Sequence, residues 1–224
     1  MTEREPENGM NRPERGILIA FEGSDGAGKT TALEAMYADL KQKGYPVIKT
    51  REPGGSPTAE KIRALLLDPQ NSIDPRTEAL LYAASRREHI RQTILPALER
   101  GEIVLSDRFL DSSLAYQGYG RLLGEKVIEH LNDFALEGLR PDATLFYRLD
   151  EQSAKERREL RGDLNRLDAE TRDFFDRVNG GFEQLLASHP DRYLVIDASR
   201  TREEVAAQTI SLVEDLLRGA GYGR

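Results

Sequence analysis

The sequence predicts a three-layer α/β/α fold around a central five-stranded parallel sheet. Five short apolar runs alternate with longer segments of helical periodicity, a pattern typical of parallel strands joined by right-handed helical crossovers. Several runs are apolar almost throughout, as expected of strands that are buried on both faces. The predicted strands span residues 16–21, 45–50, 102–107, 143–149 and 192–198.

The segments between and after these strands predict seven helices. They lie near residues 29–43, 58–67, 76–100, 124–138, 151–160, 169–188 and 201–218. Two of them contain residues that oppose a continuous helix. Pro96 lacks a backbone donor and is expected to kink or split the third helix. Gly180 and Gly181 weaken the sixth, although its apolar residues follow helical spacing.

The length and charge of the chain limit what it can be. With 224 residues, it fits a single domain of residues 16–218 after a flexible polar tail of residues 1–15. The net charge of −7 argues against a broad nucleic-acid surface, because phosphate backbones attract basic proteins. The absence of cysteine excludes disulfides and thiolate metal sites. No apolar run approaches the roughly 20 residues of a membrane span, so we expect a soluble, cytoplasmic protein.

A glycine-rich segment, GSDGAGKTT, directly follows the first predicted strand and matches the pattern G-x-x-x-x-G-K-[ST]. Such glycines let the backbone fold around phosphate oxygens, while Lys29 supplies charge to the β and γ phosphates and the Thr30 hydroxyl can bind Mg²⁺. A purely structural turn is the alternative, but the strand before and the helix after give the context that the motif needs. The predicted ATP-binding residues are Gly23, Ser24, Asp25, Gly26, Ala27, Gly28, Lys29, Thr30 and Thr31.

Two classes of function contain such a loop. One is a GTPase- or ATPase-like switch, and the other is a kinase that passes the γ-phosphoryl group to a small acceptor. The chain lacks the N-K-x-D pattern of GTPases and the L-S-G-G-Q pattern of transporter ATPases. A kinase needs a second anion site that faces the loop and a mobile cover that excludes water.

Arginines near the ends of the predicted strands are candidates for the second anion site. Arg51 and Arg108 directly follow strands, and ligands of such sheets bind at the carboxyl ends of the strands. Arg63 and Arg86 lie on the following helices; any one arginine alone is more often a solvated surface residue. The planar guanidinium suits bidentate phosphate binding. Asp107 either caps a helix or pairs with Arg108, or it organises Mg²⁺; its place beside the phosphate loop favours the metal.

Several motifs together resemble those of the thymidylate kinase family, in its bacterial branch. The phosphate loop is shared by many families, whereas REPGG with DR-x-x-x-S-S-x-A-Y-Q-G is far more specific. In the order of the family, the matching segments are FEGSDGAGKTT, TREPGG, RTEALLYAASRREH, DRFLDSSLAYQGYG and RGDLNRLD, which fall within residues 16–198. The resemblance implies a P-loop kinase fold with a small helical lid of about residues 153–168. It also implies Mg²⁺-dependent transfer from ATP to dTMP in dTTP synthesis, and a homodimer.

The resemblance also assigns residues to the two phosphates of the reaction. It implies that Arg51 and Arg63 bind the phosphate of dTMP, and that Arg108 lies between the two phosphate sites. Together with the phosphate-loop motif, this makes Lys29, Asp107 and Arg108 the predicted catalytic residues of the core, and Thr30 and Asp107 the predicted metal ligands. Rejection of dUMP rests on one methyl group, which a pocket senses by about 1–3 kcal/mol.

For the nucleoside, the resemblance implies five contacts. Tyr82 lies against the thymine ring, Arg86 donates to a thymine carbonyl, and Ser113 and Gln117 line the base pocket. Tyr116 lies near the sugar and disfavours a 2′-hydroxyl. From the residues alone, ordinary helix packing stays open for the two tyrosines and loop capping for Ser113 and Gln117.

The charged segment KERRELRGDLNRLD, residues 155–168, resembles the lid of the family. By composition alone it is also consistent with a solvated helical face. Some family members carry an arginine inside the phosphate loop, where this chain has Gly26. The other branch supplies catalytic arginines from the lid, so Arg158, Arg161 and Arg166 are the candidates here.

Three questions stay open at the level of sequence. Glu22 and Glu52 lie near the same strand ends and could either orient water on Mg²⁺ or hold arginines. Another P-loop nucleoside or nucleoside monophosphate kinase is the alternative enzyme. A nucleotide-binding regulator without transfer activity is the alternative from another class.

The predicted partners are ATP and dTMP, with no nucleic acid and no membrane.

Overall fold

The structure is a computed structural model that describes residues 15–159 and 166–222. Of the predicted flexible tail, only Arg15 belongs to the described residues, and its guanidinium donates to Asp142 at 3.1 Å. Within the described residues, no helix is long and apolar enough to cross a membrane.

Across the described residues, five parallel strands form one sheet in the order β2-β3-β1-β4-β5. The strands are β1 (Leu18–Glu22), β2 (Val47–Arg51), β3 (Ile103–Asp107), β4 (Ala143–Arg148) and β5 (Tyr193–Asp197). Phe21 of β1 and Arg51 of β2 both pair with Asp107 of β3, so the carboxyl ends of these three strands lie level. The predicted five-stranded parallel sheet is therefore confirmed.

The sheet is buried on both faces because its apolar side chains alternate between two cores. In β1, Leu18 and Ala20 face one core, whereas Ile19 and Phe21 face the other. The first core contains residues of the segments that cover one face, including Phe174 and Phe182; the second is closed by the first and last helices. Helices therefore cover both faces, and the predicted three layers are confirmed.

In the described ranges the chain forms nine α-helices. They are α1 (Lys29–Gln42), α2 (Pro57–Leu67), α3 (Pro75–His89), α4 (Leu95–Glu99), α5 (Leu110–Ser113), α6 (Glu125–Leu136), α7 (Glu151–Glu159), α8 (Arg172–Ser188) and α9 (Arg202–Gly219). Local sequence explains several starts. Ser56, Asp74 and Thr171 accept hydrogen bonds from the first backbone N–H groups of α2, α3 and α8.

Two predicted helices differ from expectation in informative ways. The third continues from α3 through a π-helical segment, Ile90–Ile94, into α4, where Pro96 lies in the first turn and needs no helical donor. The sixth, α8, is continuous through both glycines. At Gly181 a Cβ atom would lie 2.6 Å from Cδ2 of Tyr119, so the glycine permits a close approach, whereas Gly180 faces open space.

The sequence did not predict a helix directly after β3. Residues 110–120 form α5 and a π-helical segment, Leu114–Gly120. The carboxylate of Glu22, at the end of β1, accepts from the backbone N–H of Phe109 at 2.8 Å and of Ser112 at 3.1 Å. A distant side chain thus caps a segment whose serines, tyrosines and glycines are weak helix formers.

Candidate active site

An open cleft lies at the level carboxyl ends of β1, β2 and β3. It encloses about 870 Å³, a volume that includes the open space at its mouth. One wall comes from the phosphate loop and the end of β3, through Asp25, Lys29, Thr30 and Asp107. The rest includes all eight residues predicted for the acceptor: Arg51, Arg63, Tyr82, Arg86, Arg108, Ser113, Tyr116 and Gln117. The fold thus brings the two predicted sites into one cavity.

The phosphate loop wraps back on itself and buries its lysine. Gly28 takes a left-handed conformation with φ 82° immediately before α1 begins at Lys29. The ammonium of Lys29 donates to the carbonyl of Ser24 at 2.8 Å. Burial, together with the charge of Arg108, lowers the pKa of Lys29 to about 8. Phosphate oxygens in the loop would favour the charged form of this lysine.

Arg108 joins the phosphate loop to the acceptor side of the cavity. Its guanidinium donates to the carbonyl of Gly23 at 3.1 Å, to Asp25 at 2.7 Å and to Ser112 at 2.6 Å. It also lies over the ring of Tyr116, at 5.1 Å from the centroid. Its φ of 70° is rare for an L-residue, and such strained backbone clusters at functional sites.

Neighbouring charges keep the carboxylate of Asp25 and the guanidinium of Arg108 ionised. Burial opposes the charge of Asp25, but Arg108 and Lys29 outweigh it and hold the pKa of Asp25 well below its usual range. Burial likewise opposes the charge of Arg108, and Asp25 outweighs it, so its pKa stays well above the ordinary value. The hydroxyl of Tyr116 donates to Asp25 at 2.9 Å, which completes the link between loop and acceptor wall.

The side chains of Thr30 and Asp107 meet beside the phosphate loop. The hydroxyl of Thr30 donates to a carboxylate oxygen of Asp107 at 2.5 Å. Within the described part of the chain, no cluster of three or more histidine and acidic side chains could hold a metal by itself. Mg²⁺ rarely needs such a cluster, because one or two protein oxygens suffice beside water and substrate phosphates. The hydroxyl and carboxylate oxygens therefore fit this ion.

Arg51 and Arg63 contribute two cationic side chains to the lining of the cavity. Arg63 donates to the carbonyl of Pro53 at 2.7 Å, and Arg51 to Glu60 at 3.1 Å. Burial and then the charge of Arg51 lower the pKa of Arg63. Two guanidinium groups that repel each other in one cavity favour an anion between them.

Arg86 lies at the bottom of the cavity and is only 2% exposed. The carboxylate of Glu52 accepts from its Nε at 2.7 Å, which answers the open question about Glu52: it holds an arginine. The guanidinium also donates to the carbonyl of Phe109 at 2.9 Å, to Ser113 at 3.1 Å and to Asn132. Arg86 is therefore held in one orientation at the cavity wall.

Ser113 and Gln117 lie within the helical segments after β3. The amide of Gln117 donates to Glu78 at 2.9 Å, and Ser113 accepts from Arg86. Neither residue therefore caps a loop. Tyr82 lies in the same wall, and burial followed by the charge of Glu78 raises the pKa of its hydroxyl, which stays neutral.

The segment predicted as the lid begins with α7. Arg161 and the side chain of Arg158 lie outside the described residues. Arg166 lies in a 3₁₀ turn (Arg166–Ala169), where it donates to the carbonyl of Leu66 at 2.8 Å and to Glu78 at 2.6 Å. Arg157, which the sequence analysis did not single out, lies 3.1 Å from the carbonyl oxygen of Ala198 and 3.5 Å from that of Gly26.

Comparison with known proteins identifies the family of this chain. The family model described as "Thymidylate kinase" matches residues 21–209. The chain belongs to the thymidylate kinase family. It is 46% identical over 206 residues to the thymidylate kinase of Halalkalibacterium halodurans, covering 91% of this chain and 98% of that protein.

Other members of the family agree. The thymidylate kinase of Levilactobacillus brevis is 47% identical over 204 residues, which cover 89% of this chain and 95% of that protein. The crystal structure of thymidylate kinase from Ehrlichia chaffeensis is similar with a TM-score of 0.70 and 32% identity. That similarity covers 90% of this chain and 99% of the Ehrlichia chain. The family that the motifs predicted is therefore confirmed, and so is the predicted P-loop α/β fold.

Sequence reasoning missed the partners of several residues that organise the site of this family member. Glu22 caps α5 rather than holding an arginine, and Ser112 bonds to both Glu22 and Arg108. Glu78 is fully buried among three polar partners, although in the sequence it is an ordinary acidic residue of a first helical turn. No local pattern distinguishes Glu22 or Glu78, because the groups from which they accept lie far away in the chain.

Proposed function

We propose that this cavity is where the chain transfers the γ-phosphoryl group of ATP to the phosphate of dTMP, giving dTDP and ADP for dTTP synthesis. Phosphorylation of dTMP follows from membership of the thymidylate kinase family; the roles of individual residues are our proposal. The observation that carries it is the position of Arg108, which contacts both Asp25 of the phosphate loop and Tyr116 of the acceptor wall. A residue between two phosphates is what transfer between them requires.

In the proposed reaction, a phosphate oxygen of dTMP attacks the γ-phosphorus in line, and the bond from that phosphorus to the bridging oxygen of ADP breaks. The acceptor is largely dianionic at neutral pH, so it needs no general base. Lys29 and Arg108 neutralise charge that would otherwise keep the substrates apart. Mg²⁺, held by Thr30 and Asp107, would supply further positive charge to the phosphates of ATP.

The acceptor is proposed to lie with its phosphate at Arg51 and Arg63 and its base towards the bottom of the cavity. Arg86, Ser113 and Gln117 then meet the edge of the pyrimidine. Tyr82 stacks on the ring and Tyr116 lies beside the sugar. Since the pocket distinguishes dTMP from dUMP by one methyl group, we expect a preference of about 1–3 kcal/mol rather than exclusion.

We further propose a single domain of residues 16–218 with a lid at about residues 153–168. At least one of Arg158, Arg161 and Arg166 is then catalytic, because the phosphate loop carries no arginine of its own. A guanidinium from the closed lid would stabilise charge on the transferred group. Three single alanine variants test this, and normal turnover in all three would contradict it.

A homodimer that acts in the cytoplasm completes the proposal. Leu80 on α3 and Val127 and Phe134 on α6 are 57%, 60% and 88% exposed. The two helices pack together, since Arg87 of α3 donates to the carbonyl of Ala135 at 3.3 Å. An exposed apolar surface of this kind favours a second copy of the chain as its partner.

The experiment that tests the function measures ADP formation from Mg·ATP with dTMP, dUMP, dCMP, dGMP, AMP or thymidine offered separately. We expect strong turnover with dTMP, weaker turnover with dUMP and little with the others. Turnover that ignored the acceptor would indicate a different class of nucleotide-binding protein. Preference for thymidine or a purine nucleotide would agree with the assignment of the phosphate loop but would overturn the assignment of the acceptor wall.

A further inference from the structure

Glu78 is a buried carboxylate that the proposed reaction does not use. It lies in the first turn of α3, it is 0% exposed, and three side chains from other segments converge on it. Arg121 donates to both of its oxygens, at 3.1 and 2.9 Å, and Arg166 donates at 2.6 Å. The third partner is the amide of Gln117, which donates from Nε2 at 2.9 Å.

An ionised carboxylate accepts hydrogen bonds and donates none. Burial opposes the charge of Glu78, but its bonds from Arg121 and Gln117 and the charge of Arg121 outweigh burial and hold its pKa below the ordinary value. At neutral pH the partner of Glu78 must therefore be a donor. Gln117 can satisfy this only by turning its NH₂ group towards Glu78, which fixes its carbonyl Oε1 on the other side of the amide.

Gln117 lines the cavity although it is only 1% exposed. Within the part of the chain that the structure describes, its Oε1 has no hydrogen-bond donor. The carbonyl is thus available to a ligand, while Glu78 prevents the amide from reversing.

We propose that Glu78 is a positioning residue that sets base specificity by holding the Gln117 carbonyl towards the base. A fixed carbonyl selects bases with an N–H donor at ring position 3, as in thymine and uracil. It rejects cytosine, which has an acceptor lone pair there and would leave two acceptors facing each other. The inference rests on the proposed function, because it requires a pyrimidine nucleotide in this cavity.

The substrates dUMP and dCMP form a matched pair for the test, since they differ only at ring positions 3 and 4, which Gln117 and the unaltered Arg86 would contact. In Glu78→Gln, the new amide both donates and accepts, so Gln117 can reverse. We expect the ratio of kcat/KM for dUMP over dCMP to fall about tenfold or more. The expected cause is a lower value for dUMP and a higher value for dCMP.

Arg121→Met is the matched control, because it removes a charge partner of Glu78 but leaves the bond between Glu78 and Gln117. If Glu78 served only to neutralise arginines, both variants would melt at a lower temperature, and the ratio of kcat/KM for dUMP over dCMP would be unchanged in both. We expect the ratio to change in Glu78→Gln and to stay within about twofold in Arg121→Met. An unchanged ratio in Glu78→Gln overturns the inference.

If Glu78→Gln does not fold, the unaltered protein carries the test. N3-methyl-dTMP lacks the donor at position 3, and we expect it to bind at least about tenfold more weakly than dTMP. Equal binding would show that no carbonyl faces that position and would overturn the inference. Failure of the proposed function is distinguishable, because the unaltered protein would then form no ADP in response to dTMP.

Discussion

Replacement of Arg86 by methionine tests the buried charge pair beneath the cavity. Arg86 and Glu52 have side chains that are 2% and 4% exposed, with 2.7 Å between Nε and Oε2. The variant Arg86→Met leaves the carboxylate in the core with His89, at 3.1 Å, as a remaining partner. Removing one member of such a pair destabilises a protein by about 3–5 kcal/mol, because the remaining charge is buried without compensation.

Urea unfolding at pH 7 measures this loss. The loss of unfolding free energy in the double variant Glu52→Gln/Arg86→Met is expected to be smaller than the sum of the losses in the two single variants. The difference should be at least about 1 kcal/mol, because the double variant leaves no charge unpaired. Arg148→Met is the matched control. Its pair with Glu183 is about half exposed, at 52% and 55%, so the loss is expected to stay below about 1 kcal/mol.

The pH dependence gives a second readout with a definite sign. Burial raises the pKa of Glu52, but Arg86 and His89 outweigh it and lower the pKa below its ordinary value of 4.5. The stability that ionised Glu52 contributes is therefore complete above its unfolded pKa and is lost as the pH falls through the lower folded pKa. In Arg86→Met, Arg86 no longer lowers the pKa of Glu52. The difference in stability between this variant and the unaltered protein is therefore expected to become smaller at acidic pH.

Two results would refute this reasoning. One is a loss below about 1 kcal/mol for Arg86→Met, which would mean that the buried pair contributes no more than an exposed one. The other is a double-mutant cycle in which the two losses add, which would mean that the charges do not interact.

Three further predictions concern other parts of the molecule. Lys29→Ala is expected to lower kcat by at least about 10²–10³-fold without loss of fold, measured by ADP formation and circular dichroism; near-normal activity would contradict the phosphate-loop assignment. Gly180→Ala is expected to stabilise α8 by about 0.5–1 kcal/mol. Gly181→Ala is expected to destabilise it by about 1–3 kcal/mol, because its Cβ would meet Tyr119; equal effects in thermal melting would refute the packing argument. Phe134→Glu is expected to convert the proposed dimer to a monomer in sedimentation, and an unchanged mass would place any interface elsewhere.

The fold was largely predictable because its signals are local. Each strand is a short apolar run, and the observed bounds fall within one or two residues of the predicted ones. The phosphate loop depends on the spacing of its glycines, Lys29 and Thr30, which the chain displays directly. By contrast, residues 110–120 carry weak helix formers, and their helical structure depends on a cap from Glu22 that no local pattern contains.

The sequence by itself determined the three layers, the phosphate loop and eight of the residues that line the acceptor side of the cavity. Only the tertiary structure decided which buried charges and amides pair. Glu52 meets Arg86 across 34 residues of sequence, and Glu78 meets Gln117 across 39. Periodicity shows that a side chain faces the core but does not identify its neighbour. A polar group without water must find a hydrogen-bonding partner, and the packing of the crossover helices determines which partner lies within reach.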